Sequence, residues 1–175
     1  VYITVAKELK HSVGAKEATL QIRRVVTGHD QNGRAVITID ETATHVASRR
    51  ANHQSCVIWS TGEFPTDNSG GADGGMREVA STDPNGTIFR VVEFGPGVAP
   101  RNHRTESIDY AVVMSGEIEM EMDGTTVQLA AGDVLVQRGT IHNWINRGTK
   151  PCLIAFVLVA AKPVERAGKV LGATN

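Results

Sequence analysis

Cysteine is scarce in this chain. Cys56 and Cys152 are the only two and show no CxxC spacing, which is too few for a disulfide framework. Each has alternating apolar neighbours (CVIW and CLIAF), the setting of a buried free thiol rather than a bridge, so a cytoplasmic location is the default expectation. Charge of one sign is also missing: 18 Lys and Arg stand against 19 Asp and Glu, a net charge of -1. No face-wide basic excess points to nucleic acid or to an acidic membrane as partner. Long hydrophobic runs are absent too. Leu153 to Ala161 covers nine residues, against the roughly 20 that a membrane-crossing helix needs. The opening stretch, VYITVAKELKHSVG, is broken by Lys7, Glu8, Lys10 and His11, so no secretory leader is expected there. No repeat with a period of about 20–50 residues is visible, which sets aside solenoids and propellers. What remains is ordinary globular material: 175 residues, 41% hydrophobic and 21% charged, enough for one buried core.

The chain is written mostly in strands. Leu20 to Thr27 and Arg34 to Ile39 flank HDQNG, whose Asn32-Gly33 pair is a reversal signal between β-rich runs. Ser55 to Ser60 is another short strand. FPTDNSGGADGGM, residues 64–76, is glycine-rich with little apolar content and is read as a mobile surface loop, with a lid over a ligand site as the alternative. Further strands are expected near 87–94, 101–105, 108–114, 117–122, 126–129, 133–137, 142–146 and 152–160. In GEIEMEMDG, Ile118, Met120 and Met122 share one face and Glu117, Glu119 and Glu121 the other, the pattern of a half-buried strand. Short antiparallel strands without helical periodicity between them indicate a sandwich or a barrel.

Chemistry concentrates in two segments. In GVAPRNHRTESIDYAVVMSG, His103, Thr105, Ser107 and Asp109 are separated by even steps and point the same way on an extended strand. Val113 continues that parity and marks the face as the inner one. A histidine and a carboxylate in an apolar interior are costly unless hydrogen-bonded or metal-bound. In GDVLVQRGTIHNWIN, Val134 and Val136 are assigned to the core, and His142 opens a strand with Trp144 on the same side. Tyr110 and Arg104 are placed outside. Met114, Trp144 and Phe156 are assigned to the core before any substrate contact, and His29, His45 and His53 to the surface, with His53 kept as a remote extra ligand.

These two segments resemble the paired motifs of the cupin superfamily. Gly97, His103, Thr105, Asp109 and Gly116 fall on its first motif without a gap. Gly132, Gly139, His142 and Asn146 fall on its second, with Arg138 where proline is usual and one residue missing before the glycine. The resemblance implies an all-β fold: a cupin-type antiparallel β-barrel (double-stranded β-helix, or jelly roll) with an N-terminal strand extension. The expected organisation is an arm over 1–17, strands and a flexible loop packing on the barrel over 18–84, the barrel over 85–162 and a polar, dispensable tail over 163–175, all one structural domain; of these the resemblance covers the barrel.

The family binds a divalent metal through two histidines and a glutamate of the first motif and a histidine of the second. Thr105 stands here for the second histidine and Asp109 for the glutamate, which leaves His103, Asp109 and His142 as the implied ligands of Fe, Mn, Zn or Ni. Two imidazoles and a carboxylate are the donor set of non-haem iron sites with open positions. Asp109 and Thr105 are the candidate catalytic residues. Thr105, Ser107, Met120, Trp144, Asn146 and Phe156 are the candidate substrate pocket. The leading functional expectation is a metal-dependent lyase that decarboxylates or dehydrates an oxygenated organic acid or polyketide-like metabolite. The alternatives are a non-haem iron dioxygenase and a metal-free ligand-binding cupin without catalysis. A small-molecule partner is expected, and a homodimer pairing through Leu20 to Ile39, since an uncovered apolar strand edge invites association.

Overall fold

The computed structural model describes residues 20–174; the arm expected over residues 1–17 lies outside them. The described chain is all-β and antiparallel. A hairpin of β1 (Arg23–His29) and β2 (Ala35–Thr42) comes first. Its turn is closed by the Asp30 carboxylate, which accepts from the amides of Asn32 and Arg34, the turn chemistry that Asn32-Gly33 announces. Then come β3 (Val46–Arg50), β4 (His53–Ser60) and β5 (Thr87–Phe94). The second half supplies β6 (Ser107–Ser115), β7 (Glu117–Met122), β8 (Thr125–Ala130), β9 (Val134–Arg138), β10 (Asn143–Ile145) and β11 (Cys152–Ala160). A last hairpin pairs β12 (Val164–Arg166) with β13 (Lys169–Leu171). Among the described residues no helix is long and apolar enough to cross a membrane.

Six strands form one sheet in the order β3-β4-β5-β11-β6-β9, and three form another in the order β10-β7-β8. Both sheets contribute to a single apolar cluster: Ile88, Val92 and Phe94 from β5, Ile154, Phe156 and Leu158 from β11, and Ile118, Met120 and Trp144 from the smaller sheet. The alternation in the sequence selects these faces. On β6 the odd residues Ser107, Asp109, Ala111 and Val113 are buried, while Tyr110, Val112 and Met114 are exposed. Tyr110 is thus external as expected, and Met114, assigned to the core, is not.

Two assignments on β9 also reverse. Val134 and Val136 face outward, and Leu135 and Gln137 turn in. The register explains it: Tyr110 pairs with Val136, Val112 with Val134 and Asp109 with Gln137, and paired residues share a face of a sheet. The β6 parity therefore dictates that of β9, whatever the apolarity of its valines. Residues 101–105 form no strand; the His103–His142 and Arg104–Thr174 bridges and the bonds of Arg101 to Asn143 and Ser81 tie them to the rest of the fold. The segment expected as a tail is folded. Besides the β12–β13 hairpin, Thr174 exchanges backbone hydrogen bonds with Arg104, and the Ala173 amide donates to Glu106.

The glycine-rich loop is held by charge. Arg24, only 2% exposed, donates from Nη1 and Nη2 to the two carboxylate oxygens of Asp73, both at 2.7 Å, and also to Glu41. Ser60 Oγ adds a bond to the Gly74 carbonyl at 2.8 Å. A Cβ on Gly75 would stand 1.8 Å from Arg24 Nη1, so this glycine makes room for a guanidinium. Gly116, between β6 and β7, is required on two grounds: its φ is +77, and an added Cβ would lie 2.6 Å from the Pro151 carbonyl oxygen. Gly116→Ala is expected to lower stability by about 1–3 kcal/mol, measured as an earlier urea midpoint at unchanged slope.

Candidate active site

The site lies where the two sheets meet. His103 and His142 pair through their backbones, each amide donating to the other's carbonyl at 2.9 Å. This ties the segment entering β6 to the segment entering β10. Their rings lie 4.3 Å apart, centroid to centroid. Each ring is oriented by a carbonyl: Nδ1 of His103 donates to Arg101 O at 3.1 Å and Nδ1 of His142 to Thr140 O at 3.1 Å. The Gln137 amide also stands 2.6 Å from His142 Nδ1. The Nδ1–H that the Thr140 carbonyl requires is compatible with this contact when the Gln137 amide presents Oε1, which leaves Nε2 in the position where Oε1 has no partner. Both rings therefore carry their hydrogen on Nδ1 and keep a lone pair on Nε2.

The two imidazoles and Asp109 line one inner cavity of about 80 Å³. Thr105, Trp144 and Phe156 also line it. Its aromatic floor is built from Phe94, Trp144 and Phe156, with centroids 5.7 to 6.5 Å apart. Asp109 is reached through a hydroxyl relay: Thr105 and Ser107 stand 3.0 Å apart and Ser107 donates to Asp109. Ser107 and Met120 line a different, larger cavity on the far side of Thr105 and Gln137. Asn146 lines neither. Its amide donates to the carbonyls of Phe94 and Lys150 and its oxygen accepts from Gly148, so it braces the turn before β11.

Burial sets the charge states. It pushes His142 down to about 4, with help from the neighbouring His103, and lowers His103 as well. It raises the Asp109 carboxyl against the opposing effects of Ser107 and Arg90. Neutral imidazoles and a carboxyl drawn toward its neutral form are the result.

Several lining residues were not assigned to the site from sequence: Arg50, Ser81, Arg90, Arg101 and Gln137. His53, assigned to the surface, also lines the cavity and packs edge-on against Phe94 at 5.5 Å. Arg90 carried a signal. It shares its parity with Ile88, Val92 and Phe94 on β5, so a charge points inward from an apolar row. Arg50 at the end of β3 and Arg101 in a loop carried none. The glycine-rich loop over 64–76 contributes nothing to the cavity or to its mouth, which residues 79–82 border instead.

A family model described as a cupin domain matches residues 90–159. Over 159 residues the chain is 34% identical to the "Cupin-domain-containing oxidoreductase fogC" of Aspergillus ruber, covering 85% of this chain and 77% of that protein. The chain belongs to the cupin family. It is also 38% identical over 160 residues to "Phomopsin biosynthesis cluster protein D" of Diaporthe leptostromiformis, covering 85% of this cupin and 84% of the relative. Against the "Cupin-domain-containing oxidoreductase virC" of Hypocrea virens, identity is 31% over 153 residues, with coverages of 81% and 77%.

As arranged, the side chains of this cupin do not fit a resident divalent ion. Among the described residues no three of His, Cys, Asp or Glu stand together to hold one. Thr105 offers a neutral hydroxyl where the motif expects an imidazole, and the Asp109 carboxylate is engaged by Ser107. Arg50, Arg90 and Arg101 line the same cavity, and their charges repel a dication.

Proposed function

We propose that this cupin is an enzyme that moves a proton on a small oxygenated organic molecule, either by enolisation followed by loss of water or by loss of carbon dioxide followed by protonation of the enol that forms. The observation that supports it is the pair of neutral imidazoles, each locked on Nδ1 by a carbonyl, beside Asp109 in one small cavity. A base must present a lone pair within hydrogen-bond reach of the proton it takes, and Nε2 of His103 or His142 does so. Asp109, kept toward its neutral form by burial, is the matching proton donor. The Thr105–Ser107 relay re-protonates it. The aromatic floor excludes water, which strengthens each of these contacts.

The test is deuterium wash-in. A panel of 2-oxo and 3-oxo acids incubated with the protein in D2O is expected to exchange the proton beside the carbonyl, followed by proton NMR. Absence of exchange across the panel, or equal exchange by a protein lacking both imidazoles, sinks the reading. Exchange is also expected to survive exhaustive chelation within about twofold, because no step in this scheme draws on Lewis-acid polarisation. A chelator-sensitive rate restored by one divalent metal would reinstate His103, Asp109 and His142 as ligands.

The names of the relatives favour a second reading, in which the same enolisable substrate is oxidised. Oxygen consumption recorded beside the exchange separates the two: uptake in step with substrate loss selects oxidation, and loss without uptake selects the lyase.

A further inference from the structure

The mouth of the inner cavity has an imbalance of charge that proton transfer does not use. It opens into a vestibule of about 800 Å³ bordered by Arg49, Arg50, Arg90, Arg101 and Arg104, with no Asp or Glu among the described residues of its wall. Among the described residues, the inner cavity adds Asp109 as its single carboxylate. For a chain of net charge -1, five guanidiniums at one opening is a marked local excess.

Among the described residues neither Arg50 nor Arg90 has a carboxylate within salt-bridge distance, whereas Arg23, Arg24, Arg77 and Arg147 do. Arg90 donates from Nη2 to the carbonyls of Ala80 and Ser81 at 3.1 and 3.0 Å, which fixes its plane and leaves the more distant Asp109 as the carboxylate that favours its charge. Arg50 Nε and Nη1, Arg90 Nε and His53 Nδ1 are buried without a partner. The guanidiniums are near enough to disfavour one another: Arg90 is lowered to about 10, first by burial and then by Arg49. Burying like charges without counter-charge is costly, and a bound oxyanion relieves that cost.

We propose that the vestibule is an oxyanion-binding site in which Arg50 and Arg90 grip a carboxylate or phosphate of the substrate. This rests on the proton-transfer reading for the word substrate, and on the arginines alone for the anion. The inner cavity has room for only a few heavy atoms, so the reacting carbon enters it while the anionic group stays at the mouth. A vestibule of this size lies in the ordinary range for small-molecule sites, about 300–1,000 Å³. Planar guanidiniums take two oxygens at once, so the site selects anions with at least two acceptor oxygens over halides.

Calorimetric titration of the full chain with sodium malonate and with sodium phosphate, against chloride at equal ionic strength, tests it. Saturable binding of either anion is expected, with Kd weakened at least tenfold in Arg50→Gln and in Arg90→Gln. Arg90→Lys, which keeps the charge and loses the fork, serves as the second variant should Arg90→Gln not fold. Tighter binding of malonate assigns a carboxylate, and tighter binding of phosphate a phosphate ester. Binding of neither anion above chloride, or an unchanged Kd in Arg50→Gln together with a folded Arg90 variant, overturns the site. His142→Asn separates this site from the proton-transfer reading: it is expected to retain the wild-type Kd for the anion while losing exchange.

Discussion

His142→Asn is expected to lower turnover by about 10²–10⁴, the usual contribution of a positioned base. Asparagine places an N–H near the site of Nδ1, so the bond to Thr140 survives and the group corresponding to Nε2 is lost. A fall in kcat with little change in KM is the expected split, since the lone pair acts during the reaction and not in holding the substrate. His103→Asn applies the same logic to the partner ring, and the larger of the two losses identifies the base.

The pH dependence follows from burial. His142 sits near 4, so the acid limb of kcat/KM is expected there and not at the ordinary imidazole value of about 6.5. Stability moves in the same sense. The unfolded chain binds the proton more tightly than the folded one, so stability rises with pH between about 4 and about 6.5 and is lost on acidification through that window. His53, also lowered to about 4, by burial and Arg50, adds to it. Urea midpoints measured at pH 5 and pH 7 check the sign. A midpoint independent of pH across that range would show that the rings are solvated.

The second large effect lies away from the chemistry. Asp73→Ala is expected to cost about 3 kcal/mol, the lower end of the range for stripping one partner from a buried ion pair. Glu41 remains to hold Arg24, but it is half-exposed and makes a weaker partner. For a chain of this length the loss corresponds to about 6–12 °C in Tm. Arg24→Met, which removes the charge and keeps the bulk, is expected to cost less, because Asp73 and Glu41 can both reach water. The Arg24 contact holds Asp73 below the usual carboxylate range. Its contribution is therefore complete above the unfolded value of about 4 and disappears as pH falls through the lower folded value. A larger loss from Arg24→Met than from Asp73→Ala would mean that the arginine acts by packing.

Much of this architecture was legible in the sequence because β-strands advertise their faces. The even spacing of Ser107, Asp109 and Val113 located the inner surface of β6, and the alternation of β7 was clear from its acids. What misled was the assumption that apolar residues set their own direction. Val134 and Val136 face outward because their partners on β6 do, and pairing is not written in a single strand. The β3 strand, VASRR, has no alternation to detect. The converging arginines were largely hidden for a further reason: Arg50 and Arg101 come from a strand end and a loop, where no period constrains direction, and only the fold brings them beside Arg90. The glycine-rich loop looked flexible by composition. At Gly75, though, glycine serves to admit the Arg24 side chain.

The closing hairpin has a practical bearing. Thr174 grips Arg104, the residue next to His103, so anything that pulls on the end of this segment pulls on the imidazole's own backbone. A protease nick in the Ala167–Gly168 turn should therefore be felt at His103, far along the chain from the cut.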